Sequence, residues 1–154
     1  MAEATLWRIT RRPYALEKAG AGAREYGGRW NVRGVAVIYT ARSIAVAALE
    51  KFVHLAGIVP PDLVLVRIDL PDGCSIEAPA LADLPKDWDS VPPSPASMEF
   101  GTTWARENRS LALYVPSVQV PEEGNAILNP SHREFRAVTM TVVRAFQYDR
   151  RLFS

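Results

Sequence analysis

The chain has 154 residues, 48% of them apolar, and a net charge of +1. That length suits one domain with a real core, and no apolar run is long enough to cross a bilayer as a helix. One cysteine, Cys74, excludes an internal disulfide, and with only His54 and His132 beside it no spaced zinc-ligand cluster can be written.

The charge is unevenly placed. Residues 1–51 carry nine Lys or Arg against four Asp or Glu, a balance of +5, whereas the rest carry nine against thirteen, −4. A basic first third suits phosphates, an acidic partner or a solvated face, and composition does not choose among them. The first 20 residues lack the apolar centre of a secretory signal, so a cytoplasmic location is the expectation.

In chain order, residues 4–9 read as a short strand with Leu6 and Ile9 apolar, and 10–28 as an irregular polar loop with room for a turn of helix. Val35 to Ala41 reads as a strand by its β-branched content. Residues 43–56 give the strongest helical signal, with Ser43 as N-cap and Gly57 as terminator. On it Ala45, Ala48, Leu49, Phe52, Val53 and Ala56 form one apolar stripe, with Glu50 at its edge and His54 one turn on. Asp62 to Leu70 reads as a strand closed by a PDG turn, 79–95 as a long surface loop, and 97–108 as a second helix capped by Ser97. Short strands follow at Leu111–Val115, Ala126–Leu128 and Val138–Phe146. Strands and helices do not alternate regularly, so the expected class is α+β, a single domain over 1–154.

The stretch GGRWN at 27–31 holds the first candidate groups. Gly27 and Gly28 permit a sharp turn or a close approach to a ligand. Arg29 has the planar fork that pairs with phosphate. Trp30 or Tyr39 can offer a flat face to a ring, and Asn31 a donor and an acceptor to a ribose. The alternative is a plain β-turn with Trp30 in the core and Arg29 on the surface. Glu50 is either a surface carboxylate or a partly buried one, and its pairing with His54 reads as an ordinary i,i+4 contact. Ser117, after a strand and a proline, can bond a phosphate oxygen or satisfy a turn. No GxSxG surrounds it, and neither a Walker A nor a GxGxxG motif is present. Asn129-Pro130 is a turn signal.

Together, WRI at 7–9, GGRWN at 27–31, VIYTA at 37–41, SIAVAALEKFVH at 43–54, and the later YVPSVQVP and NAILNPSH resemble the RES domain family from about Leu6 to Phe146. The family is named for an arginine, a glutamate and a serine. The matching positions are Arg29, Glu50 and Ser117, with Ser110 as a second candidate for the serine.

The resemblance implies a fold like that of ADP-ribosyltransferases and the toxin half of a bacterial RES–Xre toxin–antitoxin pair. It further implies a protein that degrades NAD or transfers ADP-ribose from it. NAD would be a substrate, with no metal and no tightly bound cofactor. Arg29, Tyr39 and Glu50 would be catalytic, and Arg8, Gly28, Arg29, Trp30, Asn31, Tyr39 and Ser117 would bind NAD. The partner would be an Xre-type antitoxin carrying a helix-turn-helix, in a complex that leaves room for a homo-oligomer. In ordinary ADP-ribosyltransferases the catalytic glutamate comes late, whereas Glu50 is early and in a helical stretch. A non-catalytic binding module is the reading from a different class, with the basic first third as its docking surface.

Overall fold

The computed structural model describes residues 4–153, so residues 1–3 and 154 of the expected domain lie outside it. The described residues form a seven-stranded sheet. Its strands are β1 (Ala4–Arg11), β2 (Ile38–Ala41), β3 (Leu63–Leu70), β4 (Ile76–Glu77), β5 (Ala112–Pro116), β6 (Gly124–Leu128) and β7 (Thr139–Ala145). The spatial order is β4-β5-β6-β2-β1-β3-β7. Neighbours are antiparallel except β4 and β5, which run parallel. The helices are α1 (Ala21–Tyr26), α2 (Ile44–His54) and α3 (Pro95–Arg106). This is the α+β class expected.

Both faces of the sheet are covered, and β1 and β3 record it. Side chains alternate along a strand, so Leu6 and Ile9, three apart, enter cores on opposite faces. In β3, Val64, Val66, Ile68 and Leu70 join the first core, and Leu63 and Leu65 join the one beneath α2. A strand buried on both sides reads as an unbroken apolar run, as LVLV does here. A third core gathers Trp30, Val37, Trp104, Leu113, Val115 and Ile127 with Leu84 and Trp88. The stretch 79–95 is therefore anchored at Leu84 and Trp88, and its surface-loop reading holds for the residues between and on either side of them.

The second helix begins two residues earlier than expected. Ser94, not Ser97, is the cap: its hydroxyl accepts from the Ser97 backbone N–H at 3.1 Å, with Pro95 in the first turn. The β2 strand is shorter than Val35–Ala41 because Val35 belongs to the turn that precedes it.

The largest correction concerns α2. Ser43 caps it as expected, accepting from Val46 N–H at 3.1 Å. The stripe expected inside, however, faces mostly outward: Ala45 is exposed, and Leu49 and Val53 are 37% and 43% exposed. Val46 and Ala47 are buried instead, against Ile9, Ala41, Leu63 and Leu65. A small Ala47 lets the helix sit close to the sheet. Phe52 is covered separately, by the chain's return after β7: its ring lies 5.7 Å from Tyr148 and 5.2 Å from Phe153. The Tyr148 hydroxyl also donates to the Ala48 carbonyl. Glu50, four residues after Val46 and three after Ala47, consequently lies on the sheet side of the helix, not at the edge of an inward stripe.

Candidate active site

The GGRWN segment is a tight turn. Gly28 N–H donates to the Asn31 carbonyl at 3.0 Å, and the reverse bond is 3.4 Å. The two glycines serve different ends. Gly27 has φ +73°, a left-handed conformation. Gly28 is needed for space, since a Cβ there would stand 2.6 Å from the Tyr39 hydroxyl. The gap that Gly28 leaves is thus filled by Tyr39 and not held open for a ligand. The turn sends its two corner side chains apart. Trp30 is 3% exposed and packs edge-to-face on Phe100 with centroids 5.9 Å apart, so its indole is core and not a wall of a cleft.

Asn31 is likewise interior. Its amide donates to the carbonyls of Ala23 at 2.8 Å, Val35 at 3.0 Å and Val32 at 3.3 Å. Its Oδ1 accepts from the Tyr39 hydroxyl at 2.6 Å. All its hydrogen-bonding capacity of consequence is used within the protein, which leaves none for a ribose. The Tyr39 hydroxyl in turn accepts from Trp30 N–H at 2.9 Å. Burial pushes the Tyr39 phenol well above its ordinary value, against opposing pulls from the Trp30 N–H and the Arg29 charge. It is a neutral phenol at physiological pH, so it cannot act as a phenolate base. Its work in this structure is to hold the turn that carries Arg29.

That role has a measurable consequence. In Tyr39→Phe the Trp30 N–H and the Asn31 Oδ1 both lose their partner. Leaving such groups unpaired costs about 1–3 kcal/mol, so chemical denaturation should show a loss of that size. A variant as stable as the parent would contradict the bonding described.

Arg29 is half-buried. Its Nη1 donates to the carbonyls of Trp88 at 2.8 Å and Ser90 at 2.7 Å. Burial holds the guanidinium below its ordinary value, and the Glu50 and Asp89 carboxylates act in the opposite sense. It stays charged, with one edge fixed to the 88–90 segment and the carboxylate of Glu50 within its field.

Glu50 is the centre of the arrangement. Its Oε1 accepts from the Ser117 hydroxyl at 2.7 Å and from the Asn125 amide at 3.1 Å. Ser117 is fully buried and accepts in turn from Gln119 N–H at 3.1 Å and Val120 N–H at 3.4 Å. With its hydroxyl hydrogen directed at Glu50, Ser117 holds the carboxylate in this structure. Ser110 does not reach this site: its hydroxyl accepts from the Trp104 indole N–H at 2.8 Å and donates to the Ala112 carbonyl at 2.8 Å. His54 does not pair with the Glu50 carboxylate either, since its Nδ1 meets the Glu50 backbone carbonyl at 2.8 Å.

Arg8 is not hydrogen-bonded to this group, although its charge reaches Lys51, the neighbour of Glu50. It lies opposite Val66 in the β1–β3 register, on the sheet face of Leu6, where burial lowers its guanidinium and Glu17 opposes the shift. Among the described residues it makes no hydrogen bond or ion pair. Lys51 is half-buried too, held down by burial and by the charges of Arg8 and Arg11.

The structure therefore brings together Arg29, Tyr39, Asn31, Glu50 and Ser117, and adds Asn125, which the sequence reading did not single out. It opens the NAILNPSH segment that carries part of the family resemblance, but only the β2–β6 pairing, which sets Asn125 opposite Ala41, shows that it lies beside α2.

Comparison with known proteins gives the family. The RES domain model matches residues 5–150. The chain belongs to the RES domain family. Among curated RES relatives, it is 43% identical over 154 residues to the Prs ADP-ribosylating toxin of Sphingobium sp. (strain YBL2), covering 96% of each chain. It is 40% identical over 151 residues to Toxin Res of Photorhabdus laumondii, again covering 96% of each. Toxin Res of Yersinia enterocolitica is 39% identical, with 96% of this chain and 98% of that one covered. Among solved structures, a chain of the M. tuberculosis MbcT–MbcA toxin–antitoxin complex superposes with a TM-score of 0.71, covering 97% of this chain and 86% of that one. At 18% identity that likeness concerns the fold. The RES fold thus carries Glu50 on a helix, early in the chain, with its carboxylate held by strand residues that come later.

Proposed function

We propose that this RES protein is the toxin of a toxin–antitoxin pair and that it cleaves the nicotinamide–ribose bond of NAD. The observation that carries the reading is the Glu50 carboxylate, pinned at Oε1 by Ser117 and Asn125 and lying in the field of Arg29. Names of the relatives support it at a coarser level, as toxins of which one is described as ADP-ribosylating.

The chemistry suits a carboxylate without a metal. The leaving nicotinamide is already cationic, so no acid needs to protonate it. The glycosidic bond breaks with its electron pair going to the ring nitrogen, which becomes neutral. Positive charge develops on the ribose as in glycoside cleavage. A fixed carboxylate beside C1′ stabilises that charge, and an acceptor oxygen then bonds to C1′ and loses its proton. Arg29 would hold the pyrophosphate with the edge not committed to Trp88 and Ser90. Arg8, a recessed cation with no ion pair among the described residues, would serve the same anion from the other side. Tyr39 is not fully buried, and its ring, not its hydroxyl, is the part left to meet a ligand.

The acceptor separates two readings. Water or inorganic phosphate would make the protein an NAD glycohydrolase or phosphorylase. A protein side chain would make it an ADP-ribosyltransferase, which the name of the Sphingobium relative favours. Incubating the purified protein with NAD, with and without phosphate, and with a lysate, should release nicotinamide. The mass of the ADP-ribosyl product then identifies the acceptor. Nicotinamide release under no condition would overturn the proposal; salt-dependent DNA binding without turnover would favour a binding module instead.

Arg29→Ala should raise KM for NAD by about tenfold or more, the loss expected from one charge-assisted phosphate contact. Unchanged affinity in isothermal titration would refute its phosphate role. The partner that neutralises such a toxin would be an antitoxin, Xre-type with a helix-turn-helix on the family pattern. The toxin–antitoxin complex of matching fold supports an antitoxin partner.

A further inference from the structure

We infer that Asn125 is a positioning residue that, together with Ser117, decides which oxygen of Glu50 works; the inference rests on the NAD-cleaving reading above. Both donors end on the same atom. Ser117 Oγ and Asn125 Nδ2 meet Oε1 at 2.7 and 3.1 Å, whereas Oε2 makes no hydrogen bond among the described residues. A carboxylate held at one oxygen by two donors is restrained in its terminal torsion, which is otherwise broad, and a two-fold flip only exchanges equivalent oxygens and restores the same orientation. Oε2 is left as the fixed, unsatisfied oxygen, and its negative charge is available to a developing cation.

The two donors come from different places in the chain, and each is stiffly held. Asn125 lies on β6 between two hydrogen-bonded neighbours, opposite Ala41 on β2 and Val115 on β5. Ser117 follows the end of β5, where its N–H donates to the Glu123 carbonyl at 2.9 Å. The β5–β6 hairpin thus reaches Glu50 with one donor from each arm. Helix α2 supplies the carboxylate and the hairpin fixes its orientation. The polarity is set by chemistry: the amide must present its nitrogen, since its oxygen would meet a carboxylate oxygen.

Two variants test this in the whole protein, with nicotinamide release and thermal melting measured together. Asn125→Ala should lower kcat about 10–100-fold with KM for NAD little changed, the loss that accompanies misplacement of a reacting group. Asn125→Asp has the same shape but turns a donor into an acceptor facing Glu50. It should lose more activity than Asn125→Ala at pH 8, by more than its lowered melting temperature accounts for. As pH falls, the introduced carboxyl takes up a proton and can donate again, since a like charge nearby raises its pKa. The deficit of Asn125→Asp relative to the parent should therefore shrink toward about pH 5, and that of Asn125→Ala should not. Parental kcat in either variant overturns the inference. So does a loss of activity that only tracks loss of folded protein.

A readout independent of turnover keeps the two claims apart. The Asn125 side-chain amide resonance should shift in Glu50→Ala and not in Arg109→Ala, remote from the site. An unmoved resonance refutes the positioning role even where NAD is cleaved. A parent protein that releases no nicotinamide refutes the NAD reading, and the amide resonance then decides the contact by itself.

Discussion

Glu50→Gln should abolish nicotinamide release and leave the fold standing. Glutamine has the same length, and its Oε1 can still accept from the Ser117 hydroxyl and the Asn125 amide, so the two bonds that reach α2 at 2.7 and 3.1 Å survive. What disappears is the charge. A carboxylate about 4 Å from a developing cation is worth about 4 kcal/mol at an effective dielectric of about 20, which is about a thousandfold in rate. The parent and variant should melt together and bind NAD with similar affinity, because the arginines are untouched. The decisive comparison is single-turnover kinetics at saturating NAD. A variant that keeps a tenth of the parental rate would show that Glu50 is not the stabilising group, whatever its geometry. A variant that melts far below the parent would instead mean that the charge on Glu50 holds the structure together.

Much of this was legible in the sequence, and the failures have a common cause. The α+β class, the α2 cap at Ser43 and the position of Glu50 on a helix follow from local signals. Side-chain direction does not. Periodicity found an apolar stripe on α2 but could not say which side the sheet would take. Ala47 is small enough to let the sheet approach, and Phe52 is covered by a segment a hundred residues on, so Leu49 and Val53 are left outside. The GGRWN turn failed in the same way. Residue types that suit a nucleotide suit a closed polar network equally well, and Asn31 and Trp30 went to the network and the core. Of the five residues, Arg29 alone keeps a charged group beside Glu50. Ser117 was found for its place in a family motif, yet in the structure its hydroxyl donates to the Glu50 carboxylate. Asn125 opens the NAILNPSH segment of the family resemblance, but nothing there marks it as a partner of Glu50, because that contact exists only where β6 pairs with β2 beside α2.

Gly101→Ala should be among the most destabilising single changes in the chain, and it should reach the site. Alanine is ordinarily the better helix residue by about 1 kcal/mol, and Gly101 lies in mid-α3, so propensity alone predicts a gain. Space predicts the reverse. A Cβ there would stand 2.0 Å from the Trp30 carbonyl oxygen, 2.7 Å from its Cβ and 2.8 Å from its carbonyl carbon. Two of the three are backbone atoms, and no side-chain rotation relieves them. Either α3 lifts away, opening the core of Trp104 and Ala105 beneath it, or the 28–31 turn is pushed off the helix. Overpacking of this kind costs about 1–3 kcal/mol, occasionally more; the closeness of the contact favours the upper end, which lowers Tm by about 6–12 °C in a domain of this size. The second route also strains the Trp30 N–H bond to Tyr39 and the Val32 N–H bond to Thr102, at 2.9 and 3.0 Å. Arg29 sits next to Trp30 in that turn. A turn displaced by even part of an ångström would move the guanidinium from Glu50 and from the carbonyls of Trp88 and Ser90. NAD affinity should then fall with stability, in the same variant, although residue 101 touches no candidate site group. Parental Tm would refute the close packing of α3 on the turn. A lowered Tm with parental KM would show that α3, and not the arginine turn, gives way.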